Sequence, residues 1–396
     1  MSFKFEYDDN AIDIATAAVA AIYKGQDFFY KPGRDIASIQ RFETSLPSLN
    51  WILSGRHFGD NCGLPMGKLI NVYGPSSSGK TTLCYQLAGE IVKAGGRVGW
   101  IDKESSFDSE YAAKFGIDAD NPKHISLSWP DYSEQAFDTM YAWADAKSVS
   151  LIVVDSVDGL VSMNEEEKAA ADTEQIGSQA KPLTRHLKKM INKARRANIT
   201  VLYINQLRNN LTMGGSFGKK FTNVEAMKFY PHIQLEVAKD KTKAELYDSA
   251  GNFIGINTGV CATKNKTAAP FNKFQFQIIP GQGFSKETDT VFLGLKEKVV
   301  TQKGNWFYFG EQALGNGINM ARLKLVENPE LYLEINGILR NLFLHKYSQE
   351  TITCDLLPEI TELELAAEQP KKIKLTGKNK LTKETAETKN DEAAEA

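Results

Sequence analysis

The sequence predicts an α/β protein with a mostly parallel central sheet, and three observations predict it. A short apolar strand, Leu69-Ile70-Asn71-Val72-Tyr73, runs into a turn rich in glycine and serine and then into a helical pattern. From residue 69 to about 279, apolar runs alternate with helical segments, an order that implies parallel pairing through right-handed crossovers. One of these runs, Leu151-Ile152-Val153-Val154-Asp155, is apolar up to a terminal carboxylate.

Composition bounds what such a protein can be. A chain of 396 residues is long enough for one large core with smaller attachments. Hydrophobic residues at 42% and charged residues at 24% are ordinary for a soluble globular protein. The net charge of −2 offers no general attraction to nucleic acid, so any such binding must come from local basic patches. Cys62, Cys84, Cys261 and Cys354 are scattered and the histidines form no ligand-spaced cluster. Both facts point to reduced thiols in a cytosolic protein without a zinc site. No apolar run has the length of a membrane span, and the start, MSFKFEYDDN, is not a signal peptide.

Along the chain, residues 10–24 form an alanine-rich helix with Ile12, Ala15, Val19 and Ile22 on a stripe. That stripe is expected to pack on its own domain or on a neighbouring subunit. After Lys31-Pro32-Gly33, the chain leads through a turn at Gly63–Gly67 into the strand at 69–73. Further strands are expected at Val98–Asp102, Leu151–Asp155, Thr200–Asn205, Ile233–Val237, Thr258–Thr263 and Phe274–Ile279, with helices near 82–94, 133–146 and 178–197. Short turns mark the last strands as antiparallel additions. Past Pro280-Gly281 a small mixed region with helical ends covers about 287–346. From about 366 the chain lacks aromatic residues and reads as a disordered, charged tail.

The turn after Tyr73 is Gly74-Pro75-Ser76-Ser77-Ser78-Gly79-Lys80-Thr81, followed by Thr82, a full match to G-x-x-x-x-G-K-[ST] between a strand and a helix. Backbone N–H groups of such a turn converge on phosphate where side chains would obstruct. Lys80 then reaches the β- and γ-phosphates of a nucleoside triphosphate, and the Thr81 hydroxyl can ligate Mg²⁺. Asp155, at the end of a neighbouring strand, is placed to support that ion. Glu104, just past the strand Val98–Asp102, is either a water-activating base or a solvated loop acid. Gln206 ends the strand Thr200–Asn205 and opens a long loop to Glu225, rich in Gly, Asn and Lys. A loop of that length in a compact domain is usually functional or disordered. Arg208, Lys219 and Lys220 offer charge to a phosphate backbone there, and Phe217 and Phe221 can stack or wedge.

These segments, with Trp100–Glu104, Val153–Val157, Tyr203–Arg208, Lys228-Phe229-Tyr230 and Thr263–Phe271, stand in the order and spacing of bacterial RecA recombinases. The resemblance runs from about 43 to 345, including Gly294–Lys298 and Asn305-Trp306-Phe307. It implies a RecA-type P-loop ATPase core at 43–283, a small α+β carboxy-terminal domain at 284–346 that meets duplex DNA, and a charged extension at 347–396. Residues 1–42 become a helical segment and linker that packs between subunits. The implied activity is DNA-stimulated ATP hydrolysis by a helical filament on single-stranded DNA that pairs and exchanges homologous strands.

By position, the resemblance makes Glu104 the base and Gln206 the γ-phosphate sensor, and it sets Asp108 and Tyr111 beside the adenine. Lys264 and Lys266 match a pair reaching a neighbour's triphosphate. The loops near 169–178 and 207–225 match DNA-contacting loops, which brings in Ile176 and Lys181 beside Arg208, Phe217, Lys219 and Lys220. Lys228 and Phe229 fall at the subunit interface. Implied partners are single- and double-stranded DNA, further copies of the chain, and single-strand-binding and mediator proteins, in a bacterial or phage-infected cytoplasm.

The chain departs from the family at the insertion Arg56–Asn61, at Thr222-Asn223-Val224-Glu225 where relatives carry Thr-Gly-Gly-Asn, at Pro280, and at the basic Lys371-Lys372-Ile373-Lys374. Two competing readings are a RecA-fold hexameric helicase and an ATP-bound DNA-coating protein with vestigial hydrolysis. The intact Lys80, Glu104 and Asp155 weigh against the second.

Overall fold

The structure is a computed structural model that describes residues 39–160, 180–211, 217–221, 225–248 and 250–355. The helix expected at 10–24, the segment near 169–178 with Ile176, and the tail lie outside these residues.

In chain order the elements are β1 (Arg41–Phe42), α1 (Pro47–Ser54), β2 (Leu64–Pro65), β3 (Leu69–Gly74), α2 (Lys80–Lys93), β4 (Val98–Asp102), α3 (Ser109–Lys114), β5 (Ile125–Ser128), α4 (Ser133–Asp145) and β6 (Leu151–Asp155). Then come α5 (Ala180–Ala197), β7 (Thr200–Leu211), β8 (Phe217–Phe221), α6 (Ala226–Phe229), β9 (Ile233–Lys239), β10 (Glu245–Tyr247), β11 (Phe253–Asn265), β12 (Lys273–Ile279) and β13 (Gly283–Phe284). The last group is α7 (Lys286–Lys296), β14 (Val300–Lys303), β15 (Trp306–Phe309), β16 (Gln312–Asn316), α8 (Ile318–Glu327) and α9 (Pro329–Asp355).

The main sheet has the order β13-β12-β11-β9-β3-β7-β6-β4-β5. From β9 to β5 every pairing is parallel, and β11, β12 and β13 add on antiparallel. This is the mostly parallel α/β architecture that the alternation predicts. Period-2 alternation divides each central strand between two cores. Ile70, Val72, Leu151, Val153, Leu202 and Ile204 pack into one, under α2. Leu69, Ile152, Val154, Val201 and Tyr203 pack into the other, with α4 and α5. Both faces are covered, which is why these strands are apolar throughout. A separate antiparallel sheet, β14-β15-β16, follows α7.

The insertion Arg56–Asn61 is packed rather than dangling. His57 stacks on Phe343 with ring centroids 4.1 Å apart, and the Arg340 guanidinium lies 5.2 Å from the Phe58 ring. No helix among the described residues is long and apolar enough to cross a membrane.

α1 begins without a side-chain cap from Leu46. Its cap comes from α7 instead: the Ser48 backbone N–H donates to Asp289 Oδ2 at 3.0 Å. A carboxylate suits a helix N-terminus. Burial nevertheless pushes Asp289 up to about 7, with the bonds from Ser48 acting the other way. Because that value lies above the unfolded one, the neutral form favours folding; the contribution is full in acid and is lost as pH rises to about 7. Asp289→Asn keeps an acceptor for Ser48 and removes the charge. Its melting temperature relative to wild type should therefore improve between pH 5 and pH 8 by about 5–10 °C, the equivalent of about 2–3 kcal/mol over the two pH units below a pKa of about 7. Thermal melts across that range check this; a difference independent of pH contradicts it.

Candidate active site

The register of the parallel strands assembles the site. Gly74 at the end of β3 is opposite Gln206 on β7, and Asp102 at the end of β4 is opposite Asp155 on β6. Because β3, β7, β6 and β4 are consecutive in the sheet, four segments from distant parts of the chain meet along one carboxyl edge. Ligand sites of open α/β sheets lie at such edges.

The turn from Gly74 to Lys80 is tightly enclosed. A Cβ at Gly74 would sit 1.9 Å from the Val237 carbonyl oxygen, and one at Gly79 (φ +100°) would sit 2.2 Å from Ile278 Cδ1. Only glycine fits either position without moving a neighbour. Thr258 Oγ1 on β11 donates to the Ser78 carbonyl at 2.7 Å and fastens the turn from behind. Lys80 is buried, and its Nζ donates to the carbonyls of Gly74 at 3.1 Å and Pro75 at 2.8 Å. Burial lowers its pKa, while Asp155, Glu104 and Asp158 act to raise it.

Thr81 Oγ1 donates to Asp155 Oδ2 at 3.1 Å. Asp155 is 3% exposed, and burial pushes its pKa up to about 6 against the pull of the Thr81 bond. A hydroxyl beside a buried carboxylate that is short of positive charge fits a divalent cation. Thr81 and Asp155 are the residues that would hold Mg²⁺.

Glu104 is exposed, and its Oε1 accepts from Ser156 Oγ and, at 3.3 Å, from Gln206 Nε2. The Gln206 backbone N–H donates to Asp158 Oδ2 at 2.7 Å. The two polar residues expected at separate strand ends are thus directly bonded. Ser156 and Asp158 were not singled out by sequence; their signal is adjacency to the strand end at Asp155.

Asp108 and Tyr111 come together with the first turn of α2. Asp108 Oδ1 caps α3 by accepting from the Tyr111 backbone N–H at 2.9 Å, and its own N–H donates to the Tyr85 hydroxyl at 2.9 Å. The Tyr111 hydroxyl donates to Thr82 Oγ1 at 3.3 Å. Among the described residues, no hydrogen bond joins Lys264 or Lys266 to this cluster. Lys264 Nζ donates to the carbonyls of Lys228 at 3.0 Å and Phe229 at 2.7 Å, closing the end of α6, where the Phe229 ring is 65% exposed. The Lys266 backbone N–H donates to the His232 carbonyl.

The segment after Gln206 differs from the expected loop. β7 does not stop at Asn205 but runs on to Leu211, and β8 pairs with it antiparallel. The register sets Arg208 opposite Lys220, Asn209 opposite Lys219 and Leu211 opposite Phe217. The cause lies in the backbone, since a strand that leaves the sheet edge satisfies its hydrogen bonds by folding back on itself. Polar, glycine-rich composition hid this pairing. Lys181 falls at the start of α5.

Comparison with known proteins bears on this arrangement. The RecA N-terminal domain family matches residues 43–285, and the RecA C-terminal domain family matches residues 289–344. Protein RecA of Clostridium botulinum (strain Alaska E43 / Type E3) is 37% identical over 281 residues, which cover 70% of this chain and 76% of that protein. Protein RecA of Acinetobacter baylyi (strain ATCC 33305 / BD413 / ADP1) is 35% identical over 303 residues, covering 76% of this chain and 84% of that protein. The RadB recombinase structure covers 56% of this chain and 92% of its own at 21% identity, with a TM-score of 0.42. On the family match over more than half of its length and on these relatives, the chain belongs to the RecA family of recombinases.

Proposed function

We propose that the chain is a DNA-dependent ATPase that assembles as a helical filament on single-stranded DNA and carries out homologous pairing and strand exchange. One observation carries the reading: Gln206, bonded to Glu104 beside the Lys80 turn, is also the residue from which β7 leaves the sheet to form the ribbon with β8.

In this mechanism the backbone amides of residues 74–81 and the Lys80 ammonium bind the triphosphate of ATP. Thr81 and Asp155 would hold a divalent cation, whose charge would offset that of the phosphates. Glu104 accepts the proton of the attacking water. Ser156 holds Glu104 in place, and Gln206 shares its carboxylate, so that a change at the γ-phosphate alters the tether on β7. The ribbon then presents Arg208, Lys219 and Lys220 to single-stranded DNA. Lys264 and Lys266, with the exposed Phe229 and Lys228, face a second copy of the chain and complete its nucleotide site. Residues 284–346 meet duplex DNA.

Three outcomes test the proposal. Lys80→Ala should weaken ATP binding about tenfold to a hundredfold, the worth of one or two charge-assisted hydrogen bonds. Titration of ATP measures it, and unchanged affinity refutes the phosphate site. Glu104→Gln is nearly isosteric and should bind ATP and DNA as before while hydrolysing at least about a hundredfold more slowly. A collapse of nucleotide affinity instead makes Glu104 a structural residue. Lys219→Ala with Lys220→Ala should weaken single-stranded DNA binding and lower the slope of log K against log salt by about 1.4, at about 0.7 per lost phosphate contact. ATP affinity without DNA should survive. Wild-type DNA affinity and slope would remove the ribbon from the DNA site.

A further inference from the structure

Glu104 sits on a turn, residues 103–107, that belongs to no helix or strand. What holds that turn is the Asp102 carboxylate at the end of β4, which is 2% exposed. Its Oδ1 accepts from the Ser106 backbone N–H at 3.0 Å, and its Oδ2 from the Phe107 backbone N–H at 3.0 Å. A third donor reaches the same carboxylate from another part of the chain. Trp129, directly after β5, donates its indole Nε1–H to Asp102 Oδ2 at 3.2 Å.

The rest of the Trp129 side chain has little structural work there. It is 59% exposed and belongs to neither of the two hydrophobic cores. An indole left in water at a sheet edge, with its one polar atom on a buried carboxylate, is placed for its hydrogen bond rather than for packing. The two turns are tied a second time, since Lys103 Nζ donates to the carbonyls of Pro130 at 3.2 Å and Asp131 at 2.6 Å. The Asp131 backbone N–H in turn donates to Gln135 Oε1 on α4 at 2.7 Å. The turn bearing Glu104 is therefore anchored to α4, a rigid element, through residues 129–131.

We propose that Trp129 is a positioning residue for ATP hydrolysis, acting through Asp102 to fix the 103–107 turn and with it Glu104. The proposal rests on Glu104 as the base. Trp129 does not reach the reacting atoms. It supplies the third donor to the Asp102 carboxylate, and each added donor narrows the geometries which that carboxylate can take.

The test uses the full chain with ATP, Mg²⁺ and single-stranded DNA. Trp129→Phe keeps an aromatic ring and loses only the N–H; Trp129→Ala loses both. Both should lower kcat by about three- to tenfold, the loss expected for one hydrogen bond to a charged group at a partly exposed site. KM for ATP should stay within about twofold, and the melting temperature should not move. A residue that acts through Glu104 gives no additional loss once the base is gone, so Trp129→Phe should add nothing to Glu104→Gln. Wild-type kcat in Trp129→Phe overturns the inference, as does an equal fold loss in both backgrounds. Wild-type turnover in Glu104→Gln alone would overturn the assignment of the base as well, which separates the two failures.

Discussion

The register between β3 and β7 is the constraint on which the rest depends. Setting Gly74 opposite Gln206 joins the turn that surrounds Lys80 to the strand that continues into the ribbon. A shift of one residue would turn every side chain of β7 to the other face and carry Gln206 away from the Glu104 carboxylate that it bonds. Because Val201, Tyr203, Leu202 and Ile204 are committed to opposite cores, that shift is costly. Packing in the interior thus fixes the geometry at the edge.

The same edge concentrates charge that the interior tolerates poorly. Asp155 and Lys80 are both nearly buried, and burial pushes each toward its neutral form. Uncompensated, a buried charge costs several kcal/mol, on the order of what a whole domain has to spare. Thr81, the Gly74 and Pro75 carbonyls and the cluster's own opposite charges offset part of that. A triphosphate with a divalent ion would offset more, so the site is arranged for a ligand of that charge pattern.

Much of this was legible in the chain. The P-loop fixed the order strand, turn, helix, and the apolar run at 151–155 became β6 with its carboxylate at the expected end. The family resemblance is upheld by the matches over 43–285 and 289–344. What could not be read was non-local. Nothing in the spacing announces that Gln206 bonds Glu104, that Asp289 caps α1 from another helix, or that Trp129 meets Asp102. These depend on strand order, which sequence periodicity does not encode. The ribbon was missed for a different reason. Its two arms, residues 207–211 and 217–221, carry apolar residues only at their ends and lack the apolar alternation that marks a half-buried strand.

The central claim is that occupancy of the triphosphate site is passed through Gln206 to the ribbon. Amide hydrogen exchange over residues 207–221, with and without a non-hydrolysable ATP analogue and Mg²⁺ and in the absence of DNA, tests it most directly. The account predicts that the analogue changes exchange in this segment of the wild-type chain and leaves it unchanged in Gln206→Ala, while both proteins bind the analogue. An identical response in the two proteins, or none in wild type, would contradict it.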